Sequence, residues 1–475
     1  MSITGPHPLE DRRRRVLLIA SLGSFMGPVD VSVVAVALPD LGDALGLSLS
    51  AALWVQAGYL FSYALALIPI GRLADQWGRI AVWRLGVAVF VIGSLGAGLA
   101  VNDPMLIAWR LFQGVGGGML SATATAMVSA VYPASMRGRA LGITIAALYL
   151  GLSLGPLIGG LLVQHAGWRW IFLVNVPLGA LALAVAAPLR EARPRAGRPT
   201  LDPLGNTFLG IALVGLLVGV TFGPLWGWSS TRVIALLVTG AVFTVAFLLV
   251  EGRVRAPMID LSLFRRSKIY GFGNGAALLN YTAIFGCISL TALLMELVGE
   301  RSPTHTGMVL IIQPACMVAV TPLAGRLSDR IGSRELASGG VGGIAGGLAA
   351  LAILPAGLPM GHLAAGLVMV GVGMGMFSSP NTSAVMGAAP RADYGVAAAV
   401  LGLMRTLGQS FSLAILGAIA AAPLGAAGAD VLAGSRDADV PVGMFLDGYR
   451  AAMATAAVIA LVGSGFSLAR GARER

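Results

Sequence analysis

The sequence predicts an all-α integral membrane protein: two six-helix bundles with two extra helices inserted between them, about 14 transmembrane helices in all. Three observations carry that prediction. The 475 residues are 57% hydrophobic and only 11% charged, where a soluble domain carries about a quarter charged residues. Apolar runs of roughly 20 residues, the length of a membrane-crossing helix, recur along the whole chain. One short polar stretch also occurs twice between long apolar segments, as Gly71-Arg72-Leu73-Ala74-Asp75-Gln76-Trp77-Gly78-Arg79 and as Gly325-Arg326-Leu327-Ser328-Asp329-Arg330-Ile331-Gly332-Ser333-Arg334. Its glycines make a tight turn, and its Asp and Arg residues are costly anywhere but a membrane–water boundary. A duplicated boundary loop implies two halves built on one plan, as in transporters with internal repeats.

Taken in order, the apolar spans fall near 16–38, 52–70, 80–100, 105–131, 140–163, 171–188, 203–222, 231–250, 270–297, 306–324, 336–355, 362–388, 396–421 and 448–469. They group as an N-terminal six-helix bundle (1–188), a segment of cytoplasmic linkers carrying two additional helices (189–268), and a C-terminal six-helix bundle (269–475). The two loops start at 71 and 325, a period of 254 residues. Six helices of about 1.5 Å rise per residue, with their loops, need roughly 200. The surplus is one helical hairpin, so spans seven and eight are an insertion.

Charge sets the orientation. With the N-terminus inside, 25 of the 32 basic residues lie on the cytoplasmic side and five outside, the positive-inside pattern. Both termini are then cytoplasmic. The net charge of +11 is spread over short alternating loops and points to no nucleic-acid partner. The apolar run after Arg12-Arg13-Arg14-Arg15 is too long for a cleaved signal core and carries Asp30, so it reads as the first retained helix. Cys287 and Cys316 sit inside apolar segments, implying neither a disulfide framework nor a metal site. The richness in Arg, Ala and Gly points to a bacterium with a GC-rich genome, hence to a cytoplasmic (inner) membrane.

These features together resemble the major facilitator superfamily, specifically its fourteen-helix drug:proton antiporter branch. The loop at 71–79 is similar to that superfamily's signature between helices two and three, and 325–334 to its weaker twin. Arg110-Leu111-Phe112-Gln113-Gly114 resembles the fourth-helix motif, and Gly151-Leu152-Ser153-Leu154-Gly155-Pro156-Leu157-Ile158-Gly159-Gly160 the fifth-helix motif associated with antiporters. The stretch from Asp30 to Ala37-Leu38-Pro39, and Trp168-Arg169-Trp170-Ile171-Phe172 with Asn175-Val176-Pro177, resemble the fourteen-helix branch. The resemblance implies a proton-coupled exporter of amphipathic, cationic or neutral lipophilic compounds working by alternating access, with the proton as coupling ion and no other cofactor. It also implies a monomer in the bilayer and no enzymatic activity. A dedicated exporter of one metabolite, antibiotic or siderophore is the alternative. A membrane-embedded transferase is disfavoured, because the four histidines are scattered and no phosphate-binding glycine loop ends in Gly-Lys-Ser/Thr.

Candidate residues follow from the scarcity of charge inside the spans. Arg110 stands about six residues into an apolar span, where it must face a cavity or a partner, or snorkel to the nearer interface. The resemblance places it in the proton-coupling path. Of 21 acidic residues only Asp30 and Glu296 fall inside apolar segments. A desolvated carboxylate there can hold or release a proton, or attract a cationic substrate. Asp30 is expected to serve proton and substrate in competition; Glu296 is either a second such group or a solvated helix end. Arg405 and Gln409 share one face, and with Asp30, Gln113, Asn280, Tyr281, Gln313 and Asn381 they are candidates for the substrate cavity. Interhelical hydrogen bonding is the alternative for the neutral members. Gly151, Gly155, Pro156, Gly159 and Gly160 are expected to pack closely, and by the resemblance to seal the two halves against proton leak. Gly71, Arg72, Asp75, Gly78, Arg79 and Asp329 form a conformational latch. In it Asp75 is expected to accept hydrogen bonds from the start of span eleven, while Arg72 and Arg79 pair locally.

Overall fold

A computed structural model describes residues 8–189, 202–254, 257–425 and 442–471. The N-terminal half holds α1 (Pro8–Leu45), α2 (Leu49–Trp77), α3 (Arg79–Gly98), α4 (Asp103–Val131), α5 (Ala134–Ala166), α6 (Trp170–Leu173) and α7 (Asn175–Ala186). The insertion holds α8 (Pro203–Trp226) and α9 (Thr231–Glu251), followed by a short α10 (Leu261–Arg266). The C-terminal half holds α11 (Lys268–Leu293), α12 (Pro303–Leu310), α13 (Ile312–Ile331), α14 (Ser333–Ala352), α15 (Met360–Ala388), α16 (Tyr394–Ala421) and α17 (Val442–Ala469).

Thirteen helical stretches among the described residues are long and apolar enough to span a bilayer. The shorter pair α6–α7, covering Trp170–Ala186, occupies the place of the expected sixth span. Boundaries differ from the sequence expectation where polar residues prolong a helix beyond the bilayer. Thus α1 takes in Arg12 to Arg15, with Arg14 and Arg15 paired to Glu10 and Asp11 one turn earlier. The ninth span ends in a π-turn, Leu294–Val298, which carries the half-buried Glu296. Most of the linker at 189–202 lies outside the described residues.

Small residues set the packing of each half. A Cβ on Gly116 would meet the Phe90 backbone at 2.5 Å, and one on Gly373 would meet the Gly340 carbonyl at 2.5 Å, so α3–α4 and α14–α15 approach in the same way. The insertion does not stand apart. α8 lies across the seam where α2 of one half meets α16 of the other, with Leu209, Leu213, Leu217 and Phe222 in one cluster with Phe61, Leu67, Val400 and Leu403. Phe222 lies tilted against Trp54 at 5.2 Å between ring centroids.

Candidate ion-pair site and interdomain latches

Asp30 and Arg110 meet inside the N-terminal half. Arg110 Nη1 donates to Asp30 Oδ2 at 2.5 Å and to Gln113 Oε1 at 2.6 Å, and its Nε donates to the Val55 carbonyl at 3.1 Å. The other carboxylate oxygen accepts from Gln113 Nε2 at 2.8 Å and Asn175 Nδ2 at 2.9 Å. Ser94 Oγ closes the network, accepting from the same two amides at 2.7 and 3.2 Å. Tyr59 lays its ring 4.6 Å from the guanidinium carbon, a favourable seat for a desolvated cation. Both charged side chains have 0% exposure. A buried charge is tolerated only when paired and hydrogen-bonded, and five helices supply the partners here.

Both Asp30 and Gln113 are therefore placed away from the substrate cavity expected for them. Both oxygens of Asp30 are engaged by protein groups, and in this conformation no substrate cation reaches them. Gln113 is an internal brace between ion pair and Ser94. Sequence reasoning missed Ser94, Asn175 and Tyr59, although Asn175 at the start of α7 is a buried polar residue in an apolar span.

Three candidates of the C-terminal half are also internal. Asn381 donates to the Gly273 carbonyl at 3.0 Å and accepts from Arg470 at 3.1 Å. Asn280 lies 3.5 Å from the Met374 sulfur, and Gln313 is 1% exposed with its backbone against Gly371. They bind helices within one half. By contrast Tyr281 and Arg405 stand at the seam between halves: the Tyr281 hydroxyl is 3.3 Å from that of Tyr149 on α5, and Arg405 Cζ lies 5.9 Å from the Tyr281 ring centre. Arg405 and Gln409 keep partial exposure in mid-helix.

The duplicated loops form two equivalent latches at one end of the molecule. Asp75 accepts from the Gly395 and Val396 amides at 2.8 and 3.0 Å, the start of α16. Asp329 accepts from the Gly138 and Arg139 amides at 2.8 and 2.9 Å, the start of α5. Each carboxylate thus caps the positive end of a helix in the opposite half. The partner of Asp75 is the thirteenth span and not the eleventh, because the inserted hairpin moves the count by two. Arg79 pairs locally with Asp75 at 2.7 Å, but it also reaches the Arg391 carbonyl at 2.8 Å. Arg72 crosses to Asp393 at 3.7 Å and is not a local partner. Gly78 and Gly332 turn the chain at φ 108° and 99°, which L side chains rarely adopt.

Glycine also permits the approach itself. A Cβ on Gly71 would lie 2.6 Å from the Gly395 carbonyl, and one on Gly325 would lie 2.3 Å from that of Gly138. Gly138 and Gly395 were not singled out from sequence. The fifth-helix glycines play a different part from the expected seal. Gly151, Gly155 and Gly159 press against Phe25, Ser32 and Val33 of α1, inside their own half. Pro156 is exposed and nothing lies within 4 Å of a Cβ on Gly160.

Comparison with known proteins fits this architecture. The family model described as Major Facilitator Superfamily matches residues 20–413, and a second match covers 276–473. The chain is 34% identical over 427 residues to the multidrug resistance protein Stp of Mycobacterium tuberculosis, covering 88% of this chain and 78% of that one. It is 29% identical over 418 residues to the tetracenomycin C resistance and export protein of Streptomyces glaucescens, covering 88% and 78%. It is also 30% identical over 400 residues to the riboflavin transporter RibZ of Clostridioides difficile, covering 84% and 86%. In fold it is similar to the human organic anion transporter MFSD10, with TM-score 0.68, 15% identity, and 96% and 99% of the two chains covered. It is likewise similar to the xylose symporter XylE, with TM-score 0.64, 16% identity, and 96% and 94% covered. The chain belongs to the major facilitator superfamily and is a multi-pass membrane transporter, not an enzyme.

Proposed function

We propose that this protein is a proton-coupled exporter of amphipathic small molecules, acting as a monomer in a bacterial cytoplasmic membrane by alternating access. Its termini and both latches then face the cytoplasm, and the present structure is the state closed on that side. A relative named for multidrug resistance and one named for resistance to and export of a single compound support export as the direction. The observation that carries coupling is the sealed Asp30–Arg110 pair. Arg110 stays charged at any accessible pH, so Asp30 is the member that cycles. When Asp30 takes up a proton, Arg110 keeps Val55, Gln113 and the Tyr59 face, and the cation is not stranded. Because α4 and α7 hold this carboxylate of α1, and Ser94 of α3 braces the two amides that do so, its protonation changes how the four helices pack. Coupling then runs through helix packing, since proton and substrate do not share the carboxylate in this state.

The test is transport into inverted vesicles under an imposed proton gradient. Wild-type export should collapse on adding an uncoupler, and Asp30→Asn should abolish proton-driven movement and the proton release caused by substrate. Release persisting at the wild-type level in Asp30→Asn would remove Asp30 as carrier and leave Glu296 as the next group to examine.

A further inference from the structure

We infer that the compound carried bears a negative charge, and that Arg405 is its counter-ion at the seam between the halves. This rests on the exporter reading, deepening it to a substrate class.

Arg405 is the twelfth of 28 residues in α16, and at 1.5 Å per residue it stands about 17 Å from the latch end. At that depth snorkelling to an interface is out of reach, and an unmatched cation must face water or a ligand. Its helix neighbours Gly402, Leu403 and Thr406 are buried, while Arg405 keeps partial exposure together with Met404 and Leu407. Beside it stands Tyr281 on α11, whose ring centre is 5.9 Å from the guanidinium carbon and whose hydroxyl is 3.3 Å from that of Tyr149 on α5, while Tyr63 on α2 is close enough to interact electrostatically with the same cation. Tyr149 binds Ser378 on α15 at 2.7 Å, and Tyr63 binds Ser121 on α4 at 2.7 Å.

No carboxylate lies within ion-pair distance of Arg405 among the described residues. Four acidic side chains of the long helices have other places. Asp30 is sealed with Arg110, Asp75 and Asp329 cap opposing helices, and Glu296 sits in the terminal turn of the α11 span. Around Arg405 the seam thus presents a forked cation, hydroxyls and tyrosine faces, and among the described residues no carboxylate paired with it. A guanidinium pairs a carboxylate or an acidic enolate through two parallel hydrogen bonds, and the tyrosines stack on the aromatic body beside it. The fitting substrate is an aromatic amphiphile with one acidic group.

Three probes with one ring system isolate the charge: 2-naphthoate, 2-naphthamide and (2-naphthyl)methylammonium. Each is titrated calorimetrically into the full-length protein in lipid nanodiscs, with empty discs subtracted. Naphthoate should bind at least tenfold tighter than the ammonium analogue. Arg405→Ala should erase that preference, while Arg405→Lys, which keeps the charge and loses the fork, should retain part of it. Tyr281→Phe serves as a milder variant if Arg405→Ala does not fold. It should weaken naphthoate severalfold without affecting the amide. Naphthoate binding no better than the ammonium analogue, or no worse to the Arg405 and Tyr281 variants, overturns the assignment. Export that ignores an uncoupler while this binding pattern holds would instead sink the proton-driven reading alone.

Discussion

At the scale of single residues the structure depends on one ion pair that no water reaches. Removing one partner of a buried pair leaves the other uncompensated, at a cost of about 3–5 kcal/mol. Arg110→Ala should therefore lower the unfolding temperature more than Asp30→Asn does. In the latter the amide keeps hydrogen-bonding Gln113 and Asn175. The double variant Asp30→Asn/Arg110→Ala should recover part of the loss, and thermal unfolding in detergent checks the order. Arg110→Lys is not conservative here, since a point charge cannot serve Asp30, Gln113 and Val55 together; transport should fall at least tenfold. Asp30 and Arg110 were legible in the sequence because charge inside an apolar span is rare. Ser94 and Tyr59 were not, because a serine or tyrosine in such a span is common and only its neighbours give it a task.

At the scale of elements the two latches act as a paired device, each a carboxylate on a helix start backed by a glycine contact. Gly395→Ala or Gly138→Ala puts a methyl within 2.3 or 2.5 Å of the facing carbonyl, of Gly71 or Gly325, so the helices must part. Either change should shift the population toward the state open at the latch end, read as a longer distance between spin labels on the two loops. Asp75→Asn should act in the same direction and weaken export with expression intact; unchanged export would leave the loop a topological anchor only. The loops were legible as a repeat, whereas their receptors were not. Gly138 and Gly395 lie among 66 glycines, and the twofold relation that makes them matter exists only once the halves are docked.

For the whole molecule, the asymmetry of basic residues predicts topology independently of any contact. A reporter fused after Arg195 should read cytoplasmic and one near Ser435 external; both positions lie outside the described residues, and reversal at either would overturn the fourteen-span arrangement. The six–two–six order was legible from apolar spans and the repeat period, while the destination of the inserted pair was not, since apolar length says nothing about which helix it will lie against. That destination matters to a compound already dissolved in lipid. Two seams divide the halves, and α8 with Phe222 and Leu213 shutters the one between α2 and α16. The other, between α5 and α13, is bordered among the described residues only by helices of the two halves. The inserted pair thus covers one of the two interfaces from the lipid side and leaves the other, closed by its own glycine contacts at Gly138, Gly142 and Gly325, without such a cover, an asymmetry that a twofold-symmetric transporter lacks.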